Sequence, residues 1–326
     1  MPFAFRQTGR SVPPTPAGRA APAEPPVSAY LHLLIVYLVW GSSYLAIKLC
    51  VSGPTAWAPL QLQTARMWCA ALALGAISLF LHGAPQRLSL RDLGLCAVTG
   101  VLMWVGGNGL STFSAQHASS GFIVMAMGAI PLWTVLLSAL LERRRPGAKP
   151  LAALGVGLFG LGLVFLPAML GDERSSIDPA LRTTVLLALV GAGLSWSLGT
   201  ILQKPLGTRL PPSWAAAWQM LAASIVLTGL AAWNGVTVPA AATPVQIGAF
   251  AFLVILASVV CLMSYLVVVR SFAPQISSTF AYVNPVVGVV LSWLILDERV
   301  APLSLAGILV IIGSVATLLA LQNRRA

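Results

Sequence analysis

The sequence predicts an all-α integral membrane protein whose ten transmembrane helices form two inverted five-helix repeats. Three observations predict this: the composition, the number and length of the apolar runs, and an internal duplication. Of the 326 residues, 58% are hydrophobic and 8% are charged, with a mean hydropathy of +0.88. Soluble domains carry about 25% charged residues, so this chain cannot cover a water-facing surface and its main solvent is lipid.

Ten apolar runs are long enough to cross a bilayer as helices, which takes about 20 residues each. An open sheet is excluded because unpaired backbone groups are costly in hydrocarbon. Short connections rich in Gly and Pro separate the runs. The predicted spans are approximately Tyr30–Cys50, Leu60–Leu81, Leu93–Phe113, Ser120–Leu141, Leu151–Met169, Thr183–Leu202, Trp214–Trp233, Val245–Val269, Ser277–Leu296 and Leu303–Leu321.

The basic residues predict the orientation. A net charge of +11 could indicate nucleic-acid binding, but the Lys and Arg residues lie between apolar runs and form no patch with interleaved aromatics, so no nucleic-acid partner is expected. With the N-terminus in the cytoplasm, 14 of the 19 basic residues fall on the inner side. Residues 1–27, rich in Pro, Ala and Arg and without a signal-peptide core, are predicted to be a disordered cytoplasmic tail.

The chain repeats itself after five spans. VWGSSYLAIKLC, from Val39 to Cys50, corresponds to the SWSLGTILQKPL stretch 156 residues later, so that Trp40 matches Trp196 and Lys48 matches Lys204. Because five is odd, the second copy must enter the membrane upside down. The predicted repeats are 28–170 and 180–322, and inverted repeats are typical of secondary transporters with a substrate site near the midplane.

At these residues the chain resembles the ten-helix EamA type of the drug/metabolite transporter (DMT) superfamily. The resemblance rests on WGSSYLAIK, Arg66, the spacing from Pro131 to Glu142, and AYVNPVVGVVLSWLILDE, and it covers about residues 30–321. It implies export or exchange of small metabolites, often amino acids or related compounds, across a bacterial inner membrane. Arg66 has Ala222 at its equivalent position, so the two halves differ chemically.

Arg66 is the principal candidate for substrate binding. A charge at this depth costs about 2.5–3.5 kcal/mol on insertion scales and is a functional hypothesis by default. We therefore expect a clamp for an anion or carboxylate, with snorkelling to the nearby outer surface as the alternative. For Lys48, closer still to that surface, snorkelling is the expected role.

The other candidates are polar or aromatic residues within the spans. Each has a packing alternative: small residues permit close helix contact, amides join helices, and prolines introduce kinks. Buried indole N–H groups need partners that lipid does not offer, which favours tryptophans facing a cavity. The predicted substrate-binding residues, besides Arg66, are Trp40, Ser43, Tyr44, Asn108, Trp196, Ser264, Tyr265, Tyr282 and Asn284, and the predicted gating or kink residues are Pro131 and Pro285.

The sequence therefore predicts a secondary transporter, an exporter or exchanger, that moves a small organic metabolite by alternating access. The alternative is a membrane scaffold or sensor with the same fold and no transport. No Walker A, GxSxG or HExxH sequence and no Cys/His cluster is present, so no enzyme activity, cofactor or metal is expected. No Asp or Glu falls in mid-span, which leaves exchange and facilitated diffusion open. The expected partners are a small-molecule substrate and the bilayer, and a monomer is compatible with the sequence.

Overall fold

The computed structural model describes residues 26–84, 88–143, 147–172, 177–237, 241–272, 276 and 279–323. Within these residues the regular structure is entirely helical. The ten long helices are α1 (Val27–Val51), α2 (Pro59–His82), α3 (Leu90–His117), α4 (Ser120–Leu141), α5 (Ala148–Met169), α6 (Arg182–Leu202), α7 (Pro212–Trp233), α8 (Pro244–Ser271), α9 (Phe280–Leu296) and α10 (Pro302–Asn323).

Helices α1 to α8 are each long and apolar enough to cross a membrane, and α9 and the Pro302–Leu318 part of α10 are shorter apolar helices. The ten predicted spans are thus found as helices. Helix α3 extends beyond its predicted span at both ends, from Leu93 back to Leu90 and from Phe113 on to His117. The predicted tail lies outside the described residues except for its last two, and Val27 already begins α1.

Local sequence determines where several helices begin and end. The Ser89 side chain accepts a hydrogen bond from the Asp92 backbone N–H (3.1 Å) at the start of α3, and Thr243 caps α8 in the same way. Helix α2 ends at Gly83, whose φ of 73° lies in the left-handed region that glycine adopts without strain.

Contacts at the two ends of the bundle establish how the helices run. We call the end where α1 passes into α2 the distal end, and the opposite end proximal. The ends of α3 and α9 meet the last turn of α1 distally, where Lys48 and Glu298 contact the turn between α3 and α4. The start of α3 meets the loop after α6 proximally, through an Arg209–Asp92 ion pair of 2.7 Å. Helix α1 therefore runs towards the distal end, and its sequence counterpart α6 runs towards the proximal end.

The helix contacts repeat when the two sets of five are exchanged. Helix α2 packs along its counterpart α7, α4 against α9, and α5 along α10. The contact of α1 with α8 has its counterpart in that of α6 with α3, and the contact of α1 with α9 in that of α6 with α4. This exchange symmetry is what an inverted repeat produces.

Glycines allow the closest of these approaches. A Cβ atom on Gly307 would lie 2.7 Å from the carbonyl oxygen of Gly160, so α5 and α10 cross with their backbones nearly touching. Large apolar side chains such as Phe80 (89% exposed) and Trp233 (90%) point outwards instead. In a bilayer these outward faces contact lipid, and the interior holds the polar residues.

Candidate functional site

Two π-helical segments lie inside the bundle, one in each half. Val101–Gly109 interrupts α3 and Phe252–Val260 interrupts α8. The glycine-rich stretch of α3, predicted to be unwound or closely packed, remains helical and packs closely, since a Cβ atom on Gly107 would lie 2.9 Å from the Trp196 ring. Such π segments rearrange the backbone locally and occur frequently at functional sites.

Arg66 lies where these two segments face α2. It is 4% exposed. Its Nε donates to the Ser258 Oγ (3.0 Å) in the π segment of α8, and its Nη1 donates to the Asn108 Oδ1 (3.4 Å) in that of α3. The guanidinium thus joins three helices and does not extend to either surface, which excludes the snorkelling alternative in this conformation.

Tyr44 and Gln63 complete the polar surroundings. The Tyr44 side chain lies near Arg66 and Ser111. The Gln63 Nε2 donates to the Asn108 carbonyl oxygen (3.2 Å) and to the Thr112 hydroxyl. We call this set the Arg66 cluster: Tyr44, Gln63, Arg66, Asn108, Ser111, Thr112 and Ser258.

The Arg66 cluster carries a positive charge without a counter-ion. Among the residues that the structure describes, the one side-chain ion pair joins Arg209 to Asp92 at the proximal end, and no carboxylate lies within ion-pair distance of Arg66. A buried charge is normally paired, because burial without compensation is costly. The cluster therefore has the electrostatic character of an anion site.

An aromatic group adjoins the Arg66 cluster on its proximal side. The Trp40 ring lies 5.2 Å from the Tyr265 ring and 5.3 Å from the Phe280 ring, centroid to centroid. The Trp40 Nε1 donates to the Ala257 carbonyl oxygen (3.1 Å), one residue before the serine that binds Arg66. The indole N–H is thus satisfied inside the bundle, and its ring packs with Tyr265 and Phe280 to form an aromatic wall.

Three further predicted residues make their contacts with groups outside the Arg66 cluster. Trp196 packs edge-to-face on Trp104 at 5.4 Å, beside the π segment of α3. Ser43 donates to the Val39 carbonyl oxygen (2.8 Å) of its own helix, and the Ser264 Oγ is 3.0 Å from His32 Nδ1. These two serines are therefore not brought to Arg66.

Helix α9 contributes Tyr282, partly buried against the core, and Asn284, whose buried Oδ1 has no hydrogen-bond partner among the described residues. The two predicted kink prolines differ. Helix α4 is interrupted at Gly128–Ala129, immediately before Pro131, whereas Pro285 lies within a continuous helix. The prolines are sequence counterparts, but the structure breaks only the helix of the first.

Lys48 was predicted to snorkel, and the structure gives it a different role. It is half-buried, and its Nζ donates to the carbonyl oxygens of Ala115 (2.8 Å) and Ala118 (2.9 Å). These carbonyls belong to the end of α3, where the last C=O groups lack partners within the helix. Lys48 thus caps a helix instead of reaching the surface.

Sequence reasoning missed several members of the site. Ser111 lies one turn after Asn108, and Ser258 stands alone in the apolar run FLVILASVV, so neither has a distinguishing motif. Phe280 was missed because a phenylalanine in an apolar span is indistinguishable from core. For Ser258 a clue does exist, since a lone hydroxyl inside an apolar run needs a partner in the membrane.

The fold defines a polytopic helical membrane protein, and its interior holds the polar Arg66 cluster. The model of the EamA-like transporter family matches this chain twice, over residues 27–166 and 183–320. The chain belongs to this family and is a membrane transporter of the DMT superfamily.

Curated relatives agree with this assignment. The chain is 29% identical over 265 residues to the inner membrane transporter YedA of Escherichia coli (strain K12), covering 79% of this chain and 80% of the relative. It is 25% identical over 278 residues to a probable terminal-alkyne amino-acid exporter of Streptantibioticus cattleyicolor, covering 84% and 88%. A solved crystal structure with 18% identity superimposes with a TM-score of 0.60 over 91% of this chain and 98% of that one, which shows the shared fold.

Proposed function

We propose that this protein is a secondary transporter, an exporter or exchanger, for a small organic metabolite that carries a carboxylate, such as an amino acid or a related compound. The observation that carries the proposal is the buried Arg66 guanidinium with hydroxyl and amide partners but no acidic one. A substrate carboxylate would supply the missing charge through the paired N–H geometry that arginine offers.

The neighbouring groups fit the rest of such a substrate. The aromatic wall formed by Trp40, Tyr265 and Phe280 offers apolar contact beside the charge. Asn284, with its unpartnered Oδ1, could accept a hydrogen bond from an ammonium or hydroxyl group in a conformation that brings it to the substrate. The amino-acid class is also consistent with the printed name of the S. cattleyicolor relative.

The inverted-repeat architecture supports transport by alternating access. Arg66 is buried in this conformation together with four other members of its cluster, so a substrate reaches the guanidinium only when the helices around one end separate. We propose that the repeats 28–170 and 180–322 rock about this cluster, each opening one side in turn. The distal end is then periplasmic, and the proximal end, with both chain termini, faces the cytoplasm of a bacterial inner membrane.

Counterflow in proteoliposomes tests the proposal. Vesicles containing the purified protein and loaded with unlabelled amino acids should take up labelled carboxylate-bearing compounds and should not take up the matching decarboxylated amines. Arg66→Ala should lower this uptake at least tenfold while the protein remains folded. If folded wild-type protein takes up no carboxylate-bearing compound from a broad panel, the result contradicts the transport proposal and favours the scaffold or sensor alternative.

A further inference from the structure

The distal end of the bundle holds a second group of charges that the substrate site does not use. Lys48, on α1, donates to two carbonyl oxygens at the end of α3. Glu298, which follows α9, accepts from the Ser120 N–H (3.1 Å), the Ser120 hydroxyl (2.7 Å) and the Gly121 N–H (3.2 Å) at the start of α4. One cation and one anion thus hold the same short turn between α3 and α4.

Each charge binds the helix end that suits its sign. Carbonyl groups without partners make the end of α3 negative, and N–H groups without partners make the start of α4 positive. Asp297, with φ of 51°, adopts the left-handed conformation at the end of α9. The next residue, Glu298, reaches the N-terminus of α4 from that turn. The side chains come from α1 and from the end of α9, so five hydrogen bonds join the turn to two other helices.

The sequence repeats this cation at the opposite end, where the described residues include Lys204. Lys204 stands at the position of Lys48 and is exposed. Apart from the lysines, a side-chain contact joins a loop to the start of a helix at each end. At the distal end, the Gln246 Nε2 donates to the Thr55 carbonyl oxygen (2.9 Å); at the proximal end, Arg209 pairs with Asp92. Among the described residues, the two lysines therefore differ in burial, since Lys48 is half-buried and Lys204 is exposed.

From these five distal hydrogen bonds we propose that Lys48 and Glu298 form a latch that closes the distal end of the transporter and that must release the turn between α3 and α4 before the Arg66 cluster can open to that side. This inference rests on the proposed alternating access. The latch is a conformational device and does not touch the substrate. Its five hydrogen bonds favour the closed state, and opening exchanges them for bonds to water.

A labelling experiment tests the latch without measuring transport. The buried Ser111, next to Tyr44, is changed to Cys in a background whose four native cysteines are replaced by Ser or Ala. In right-side-out vesicles, Lys48→Met and Glu298→Gln should each speed labelling by a membrane-impermeant thiol reagent at least tenfold. The labelling rate of the double variant should be less than twice that of the faster single variant, because either change alone opens the same latch. Arg299→Gln, which removes a neighbouring exposed charge, should leave the labelling rate unchanged.

A disulfide tests the latch in the opposite direction. Ser120 and Glu298 lie within hydrogen-bond distance, so Ser120→Cys combined with Glu298→Cys should form a disulfide on oxidation. The oxidised protein should stop counterflow and block the labelling, and a reductant should restore both. Full transport by the quantitatively oxidised protein, or equal labelling rates in all folded latch variants, would overturn the latch. Absence of transport in the wild-type protein, with Ser111, Ser120 and Glu298 unchanged, would instead count against the proposed function.

Discussion

Replacing Arg66 by alanine separates a binding role from a structural one. If the guanidinium binds the substrate carboxylate, its loss removes charge-assisted hydrogen bonds worth about 1.5–3 kcal/mol. Since about 1.4 kcal/mol is a factor of ten, we expect kcat/KM for counterflow to fall about 10- to 150-fold. Arg66→Lys keeps the charge but not the paired N–H groups, so it should lie between wild type and alanine.

The structure also predicts that Arg66→Ala has only a small effect on the stability of the protein. The main partner of Arg66, the Ser258 hydroxyl, also donates to the Leu253 carbonyl oxygen (2.8 Å), so it keeps a partner when the arginine is removed. Alanine already occupies the equivalent position, Ala222, in the second half. Removing a charge whose burial is costly offsets much of the lost packing. We expect the thermal unfolding temperature to change by only a few degrees.

The assay is counterflow at several substrate concentrations together with thermal unfolding in detergent. Arg270→Ala is the matched control, because it removes an exposed arginine from the proximal end of α8, and its kcat/KM should stay within twofold of wild type. Wild-type kcat/KM in Arg66→Ala would refute the carboxylate site. Loss of transport accompanied by collapse of the unfolding temperature, in both the alanine and the lysine variants, would make Arg66 a structural residue.

Three further changes have distinct expected outcomes. Gly307→Leu should lower the unfolding temperature by several degrees, because its side chain would meet the backbone of Gly160, whereas Gly313→Ala on the same helix has free space around it and should be neutral in the same melt. Ser258→Ala should lower kcat/KM about tenfold, since the buried guanidinium loses its 3.0 Å hydrogen bond, and an unchanged value would contradict that role. Trp40→Phe should destabilise the fold by about 1 kcal/mol in denaturant unfolding, because a backbone carbonyl of α8 loses its indole partner.

The helices could be predicted from the sequence because each depends on one strong property, a run of apolar residues as long as the bilayer is thick. The direction of the two halves follows from counting spans, and the structure shows it in the opposite courses of α1 and α6. What could not be predicted is the interruption of α3 and α8 by π-helical turns. No residue pattern specifies such turns, because they depend on how the neighbouring helices pack.

The site residues that could be predicted from the sequence are those of a type that is rare within a membrane span. Arg66 and Asn108 stand out because charge and amide groups are rare at depth, and the structure places them in contact. Ser43 and Ser264 looked equally polar, yet one bonds its own helix and the other pairs with His32. A serine can satisfy its hydroxyl within one turn of its own helix, so its presence in a span does not indicate what it faces.

The two halves share a fold but divide their charges unequally, and this inequality has a physical consequence. If both halves carried an arginine at the position of Arg66, two cations would share one enclosed site and repel each other across a medium of low dielectric constant. With Ala222 in the second half, one cation remains, which matches a single carboxylate. The two lysines are not subject to this repulsion, because Lys48 and Lys204 lie at opposite ends. They need not both bind a helix end in the same conformation. The sequence therefore breaks the symmetry at the centre, where Ala222 stands opposite Arg66, and keeps a lysine at both ends, although in this structure Lys48 binds a helix end and Lys204 is exposed.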